Sequence, residues 1–192
     1  MKKIKYFAFA LSALLLTGCD DEDGFYNEKY VDVANLVSIS TQPSYSVGEY
    51  IYVQADFSRY LEEPGQTTDL DIFTTTSGAP GFVFSYIIEK ENGGVWTAVE
   101  STTNTLNIID GTAQTGGFIL ATAVYDATDE SYEYNIGFQL ATAGNYRISF
   151  GVNSSSTNEI ELRSKSPANK LFLNLISDTT QLNGGYYTFT VN

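Results

Sequence analysis

Apolar and polar residues alternate along much of the chain, which is the pattern of half-buried β-strands. Residues 50–57 show it most clearly, and residues 131–140 and 145–150 repeat it. Tyr, Phe, Val, Ile and Thr, which favour strands, dominate these runs, while Gly and Asn lie between them. The pattern therefore predicts an all-β chain built from short antiparallel strands.

Turn residues divide the pattern into elements. Residues 82–90 are apolar on nearly both faces, which predicts a central strand. Glu91–Gly94 is predicted to be a hairpin turn, because Asn and Gly accept positive φ. Residues 171–176 fit a strand and a short helix equally well. The other predicted strands are 36–40, 50–57, 70–74, 95–99, 106–109, 118–125, 131–140, 145–150 and 186–191, and this spacing is typical of an antiparallel β-sandwich.

The amino terminus has the layout of a secretory signal. Lysines near the start precede an apolar run over residues 6–16, which is shorter than the roughly 20 residues of a membrane-spanning helix. Leu16–Cys19 resembles a bacterial lipobox. The resemblance implies that the Cys19 thiol receives diacylglycerol, that residues 1–18 are removed, and that three acyl chains hold the protein on a membrane.

An acidic tract follows the cysteine directly and consists of Asp20, Asp21, Glu22 and Asp23. Anionic lipid head groups repel such a tract, so adhesion to the bilayer is not its purpose. It resembles the surface-export signal of Bacteroidota lipoproteins, which implies exposure on the outer face of the outer membrane. An ordinary acidic linker and retention at the inner membrane remain the alternatives. We expect a lipidated tether over 19–34 and a β-sandwich domain over 35–192.

One stretch of the predicted sandwich carries a more specific likeness. Leu140–Ile148 resembles the E–F corner of an immunoglobulin-like domain, with Gly144 two residues before Tyr146. The resemblance implies that the Tyr146 hydroxyl bonds back to a nearby backbone group. Ile148 stands where immunoglobulin domains place a cysteine, so the resemblance is to a disulfide-free relative.

The amino-acid composition limits the binding and catalytic functions that the chain can have. The 192 residues include 23 acidic and 10 basic side chains, for a net charge of −13, which disfavours nucleic-acid binding. The absence of histidine removes Ser–His and Cys–His nucleophiles and most zinc sites. We therefore predict a protein that is not an enzyme. A glycosidase working with two carboxylates is the remaining catalytic alternative, with candidates Glu62, Glu63, Asp69, Asp71, Asp126, Asp129, Glu130 and Glu133.

One predicted hairpin loop contains candidate calcium ligands. Asp126, Asp129 and Glu130 cluster there and would offer the hard oxygen ligands that Ca²⁺ prefers. Their spacing does not match an EF-hand loop, and Asp is common in turns because its side chain bonds to nearby backbone. The turn interpretation is therefore preferred, and no cofactor is expected beyond the lipid on Cys19.

Aromatic residues are the other candidates for binding. The chain has 14 Tyr, 12 Phe and one Trp, and Trp96, Tyr50 and Tyr52 are predicted on exposed strand positions. Such rings serve as sugar platforms and interface anchors, although tyrosine is also an ordinary strand residue. We expect a non-catalytic interaction or accessory module, whose partner is an outer-membrane protein complex or a surface glycan. The alternative is a glycan-binding module of a polysaccharide-uptake system.

Overall fold

A computed structural model describes residues 28–63, 65–150, 159–166, 168–176 and 185–192. The predicted signal peptide, Cys19 and the acidic tract lie outside these residues. Within them, no helix is both long enough and apolar enough to cross a membrane. The strands are β1 Glu28–Val33, β2 Val37–Ser40, β3 Tyr50–Ser58, β4 Tyr60–Leu61, β5 Leu70–Asp71, β6 Gly81–Asn92, β7 Val95–Ala98, β8 Leu106–Asp110, β9 Thr112–Gln114, β10 Ile119–Asp126, β11 Ser131–Gln139, β12 Gly144–Ser149, β13 Glu159–Ser164, β14 Lys170–Ile176 and β15 Tyr187–Val191.

Thirteen of these strands form one curled sheet, and β4 pairs with β5 separately, so the all-β prediction is confirmed. The main path runs β1-β14-β13-β6-β10-β11-β3-β2. The long strand β6 changes partner along its length: residues 81–86 pair with β10, whereas residues 87–90 pair with β12. Its far end pairs with β7, and β15 continues from β12. The predicted central position of this strand is confirmed.

Strands β10 and β11 form a hairpin that opens into a fork. They pair with each other only near the turn, at residues 124–126 and 131–133. Beyond that point β9 pairs with β10 and β8 pairs with β11. Gly111, between β8 and β9, lies at the base of the fork with φ of +79°.

The tether does not extend to residue 34 as predicted, because Glu28–Val33 forms β1, parallel to β14. Strands β1 and β2 are joined only by Ala34–Leu36, yet they lie at opposite ends of the sheet path. Three linking residues span at most about 14 Å, so the sheet curls until its two ends approach each other. Asn35 has φ of 60°, which allows the kink between the two strands.

The predicted strand over 70–74 is wrong in its second half. Strand β5 ends at Asp71, and Ile72–Thr75 forms a one-turn helix, α1. The Asp71 carboxylate caps it by accepting hydrogen bonds from the Thr74 backbone N–H at 3.0 Å and the Thr74 hydroxyl at 2.7 Å. Residues 171–176, left open by the sequence, belong to strand β14.

Aromatic rings fill the interior, and their hydroxyls find partners there. Tyr86 and Tyr134 are each 1 % exposed, and their hydroxyl oxygens lie 2.9 Å apart. Tyr132 donates to the Ala79 carbonyl at 3.1 Å. Burial raises the pKa of Tyr86 well above its usual range. These bonds satisfy polar groups that would otherwise be costly to bury.

The tyrosine corner predicted at residues 140–148 has its expected hydrogen bond. The Tyr146 hydroxyl donates to the Thr142 carbonyl at 2.7 Å, and it lies 2.9 Å from the Thr142 hydroxyl. Tyr146 itself is 2 % exposed. The bond fixes the entry into β12, next to the carboxyl end of β11.

Candidate functional site

A surface depression lies where the link between β1 and β2 meets the loop between β4 and β5. We call it the β1–β2 groove, and its volume is about 950 Å³. One wall is residues 32–36, from the end of β1 and the link to β2. The other wall is residues 61–63 and 65–69.

The groove has an apolar floor and an acidic rim. Val33, Leu36 and Leu61 are all 9 % exposed or less, and they form the floor. The rim carries the carboxylates of Asp32, Glu62, Glu63 and Asp69. The last three were candidates for catalysis on sequence grounds. Asp32 was missed, because it lay in the predicted tether.

One ion pair joins β1 to the loop wall of the groove. Lys29 Nζ lies 3.2 Å from Glu63 Oε2, and the two side chains are 43 % and 26 % exposed. An ion pair this exposed contributes little to stability, about 0–1 kcal/mol. The groove therefore already accommodates an ammonium group next to its rim.

A second, smaller hollow of about 290 Å³ adjoins the groove and shares Asn35 and Leu36 with it. It lies on the polar face of β2, β3 and β11, where Gln54 Nε2 donates weakly to Asn135 Oδ1 at 3.4 Å. Three further carboxylates line this hollow: Asp56, Asp110 and Glu133. The acidic surface thus continues from the groove across the neighbouring sheet face.

Arg59 organises the charges beyond β3. Its guanidinium bonds to both carboxylate oxygens of Asp71, at 3.2 and 2.6 Å, and to Glu130 Oε1 at 2.7 Å. It also lies over the rings of Tyr60 and Phe73, at 4.9 and 5.1 Å from their centroids. The hydrogen bond from Arg59 holds the pKa of Asp71 well below its usual range. Asp71 and Glu130 are therefore engaged in a structural network.

The proposed calcium ligands are not brought together as predicted. Glu130 pairs with Arg59, and Glu133 takes its place beside Asp126 and Asp129. Carboxylate oxygens of these three residues lie within 4.8 Å of one another, a spacing that one Ca²⁺ could bridge. The presence of Glu133 in this cluster, in place of Glu130, could not be predicted from sequence spacing, because it depends on the direction in which each side chain leaves the turn.

Local hydrogen bonds account for this acidic cluster. Ser131 Oγ lies 2.8 Å from Asp129 Oδ1 and 2.9 Å from Glu133 Oε1. The Ser131 hydrogen bond lowers the pKa of Glu133, but partial burial and the nearby Asp129 and Asp110 charges outweigh it, so the net pKa is raised. Asp126 accepts from the Thr128 backbone N–H, which lowers the pKa of Asp126. The turn interpretation thus has a specific geometric basis.

Trp96 is packed against an arginine. The Arg147 guanidinium carbon lies 4.6 Å from the Trp96 ring centroid and 4.0 Å from that of Tyr186. Arg147 Nε donates to Glu89 Oε2 at 2.6 Å. The only tryptophan of the sequence is half-buried in this stack, so its ring is partly covered by the protein's own cation.

Tyr50 and Tyr52 are half-buried on the outer face of β3, with ring centroids 6.3 Å apart. Tyr52 lies flat across β11 at Gly137, since an added Cβ there would come within 2.7 Å of Tyr52 Cε1. The Tyr52 hydroxyl accepts from Asn107 Nδ2 at 2.7 Å. Tyr52 therefore links three strands, while Trp96 packs in a separate stack with Arg147 and Tyr186.

No family model matches the chain, and neither a curated protein nor a solved structure matches it.

Proposed function

We propose that this protein is a lipid-anchored, surface-exposed interaction module with no catalytic activity, held to the outer membrane through Cys19. Its partner binds in the β1–β2 groove. The observation that supports this choice is the groove itself, because it combines a volume of about 950 Å³ with an apolar floor and a charged rim. We further propose an immunoglobulin-like sandwich, supported by the Tyr146 corner bond.

The position of the groove suits an anchored protein. One wall is the end of β1, and β1 begins nine residues after Cys19. An extended tether of that length reaches about 30 Å. The groove would thus remain within reach of other proteins at the same membrane surface.

Glycan binding is the less supported alternative. Trp96 is stacked on Arg147, and the Tyr52 ring packs against Gly137 of β11. Neither ring is therefore fully uncovered for stacking against a sugar. A glycan array with wild type and Trp96→Ala would test it. Binding that Trp96→Ala abolishes would favour the alternative over the groove.

The interaction is tested by photo-crosslinking on intact cells. A benzophenone amino acid at Thr68, on the groove wall, should yield a discrete crosslinked partner. The same group at Thr97, an exposed residue of β7 outside the groove, serves as the matched control. Adducts of equal yield at both positions, or none at Thr68, would remove the groove from the proposal.

The anchor is tested separately by Cys19→Ser. Because the acyl chains need the thiol, the variant should leave the membrane fraction or accumulate as an unprocessed precursor. Mass spectrometry of the wild-type amino-terminal peptide should show fatty acids. A peptide without them, together with unchanged fractionation of Cys19→Ser, would refute lipidation.

A further inference from the structure

Strand β1 has one backbone edge that no strand of the described residues pairs with. In the described part of the chain it pairs only with β14, residue for residue from Glu28 to Val33. Its other edge therefore presents N–H and C=O groups along about 20 Å of strand. An edge of this kind is a template for another extended chain.

The end of this strand lies in the β1–β2 groove. Asp32 and Val33 belong to β1 and also line the groove. A chain that paired with β1 would thus run into a depression with a floor of buried leucine and valine side chains. Alternate side chains of an added strand point to opposite faces, so one set would meet this floor and its rim.

Charge indicates which side chains fit. Four carboxylates surround the groove, and the smaller hollow adds three more. Lys29 provides the only salt bridge described for the groove carboxylates, through Glu63. Glu63 therefore already binds one ammonium group, whereas no salt bridge to Asp32, Glu62 or Asp69 is formed among the described residues.

We propose that the β1–β2 groove binds an extended segment of a partner protein, rich in lysine or arginine, which adds to the free edge of β1. This inference rests on the proposed interaction function and names the chemistry of the partner. Backbone pairing supplies the register, and the carboxylates of Glu62 and Asp69 select basic side chains. An anionic segment is repelled by the same rim.

The test uses the purified full-length protein and a synthetic six-residue peptide of alternating lysine and threonine. Binding measured by calorimetry should weaken about fivefold or more in Glu62→Gln/Asp69→Asn, because two ion pairs are lost. The control Glu91→Gln/Glu100→Gln removes the same charge outside the groove and should change the Kd less than twofold. A glutamate–threonine peptide should not bind.

The backbone contribution is tested with the same basic peptide carrying a methyl group on every peptide nitrogen. This peptide keeps its charge but cannot donate to β1, so it should bind at least tenfold more weakly. Equal binding of both peptides, equal weakening by both double variants, or no binding at millimolar peptide would overturn the inference. A partner still crosslinked at Thr68 would then leave the proposed function intact.

Discussion

Gly111 shows how one residue without a side chain allows the sheet to fork. A Cβ at this position would lie 2.7 Å from the Thr122 carbonyl oxygen and 2.9 Å from that of Glu133. Both contacts are to backbone atoms of the diverging strands, which cannot rotate away. The left-handed φ of +79° adds a second reason for glycine here.

Gly111→Ala should therefore destabilise the fold more than its backbone angle alone requires. Gly94→Ala is the matched control, because Gly94 has φ of +83° and open space around its Cα. The control should lower the free energy of unfolding by about 1–2 kcal/mol, and Gly111→Ala by clearly more. Equal losses in urea unfolding would show that the fork tolerates a methyl group.

The hydroxyl pair of Tyr86 and Tyr134 should behave non-additively. Either single Tyr→Phe change leaves a buried hydroxyl without its partner and should cost about 1–3 kcal/mol. The double change removes both hydroxyls and should cost less than the two single changes together. A thermodynamic cycle from denaturant unfolding measures this coupling, and strict additivity would mean that the 2.9 Å contact contributes nothing.

At the scale of elements, α1 and the strand β5 before it depend on a single carboxylate. Asp71 caps the helix and also holds Arg59, which in turn reaches Glu130 in the β10–β11 turn. The hydrogen bond from Arg59 lowers the pKa of Asp71, so folding favours the charged form. The stability that this carboxylate adds is present above its unfolded pKa of about 4 and is lost as the pH falls towards its folded value.

Asp71→Asn should thus destabilise the protein at neutral pH, by about 1–3 kcal/mol, and flatten the loss of stability below pH 4. Glu130→Gln is the control, since Glu130 is half exposed and its bond to Arg59 is the outer one. It should cost less than about 1 kcal/mol. Parallel stability profiles of wild type and Asp71→Asn between pH 4 and 2 would contradict this account.

Local patterns predicted the elements that depend on local forces. The strands β3, β6 and β11 and the turn after Glu91 follow from alternation and turn chemistry alone. Strand β1 was missed because its partner β14 is distant in sequence and its own run is short. The helix α1 was missed because its single turn depends on the Asp71 cap, which a short run of strand-favouring residues does not reveal.

The candidate site was predicted only in part, for a similar reason. The sequence named Glu62, Glu63 and Asp69 as an undifferentiated set of loop acids, and the curl of the sheet places them opposite Asp32. It could not place Arg147 on Trp96, because that contact crosses from β12 to β7 over β6. Contacts across several strands depend on register, which alternation does not specify.

At the scale of the whole molecule, the roles that we propose for the acidic tract and for the acidic groove can be tested separately. Replacing Asp20, Asp21, Glu22 and Asp23 with alanine should reduce protease accessibility on whole cells if the tract directs export, while leaving acylation of Cys19 intact. Shaving of intact cells followed by immunoblotting measures this. Undiminished shaving would show that surface exposure does not depend on the tract.

The parallel pairing of β1 with β14 has a consequence for how the molecule is made. Strand β1 leaves the ribosome early, but its partner is synthesised more than a hundred residues later. Until then β2 can pair with β3, while β1 has no partner strand. Bringing β14 to β1 also closes a long loop, which slows folding. A chain stalled during synthesis before β14 would keep Val31 and Val33 exposed to water, which makes the incomplete product a natural substrate for chaperones and proteases.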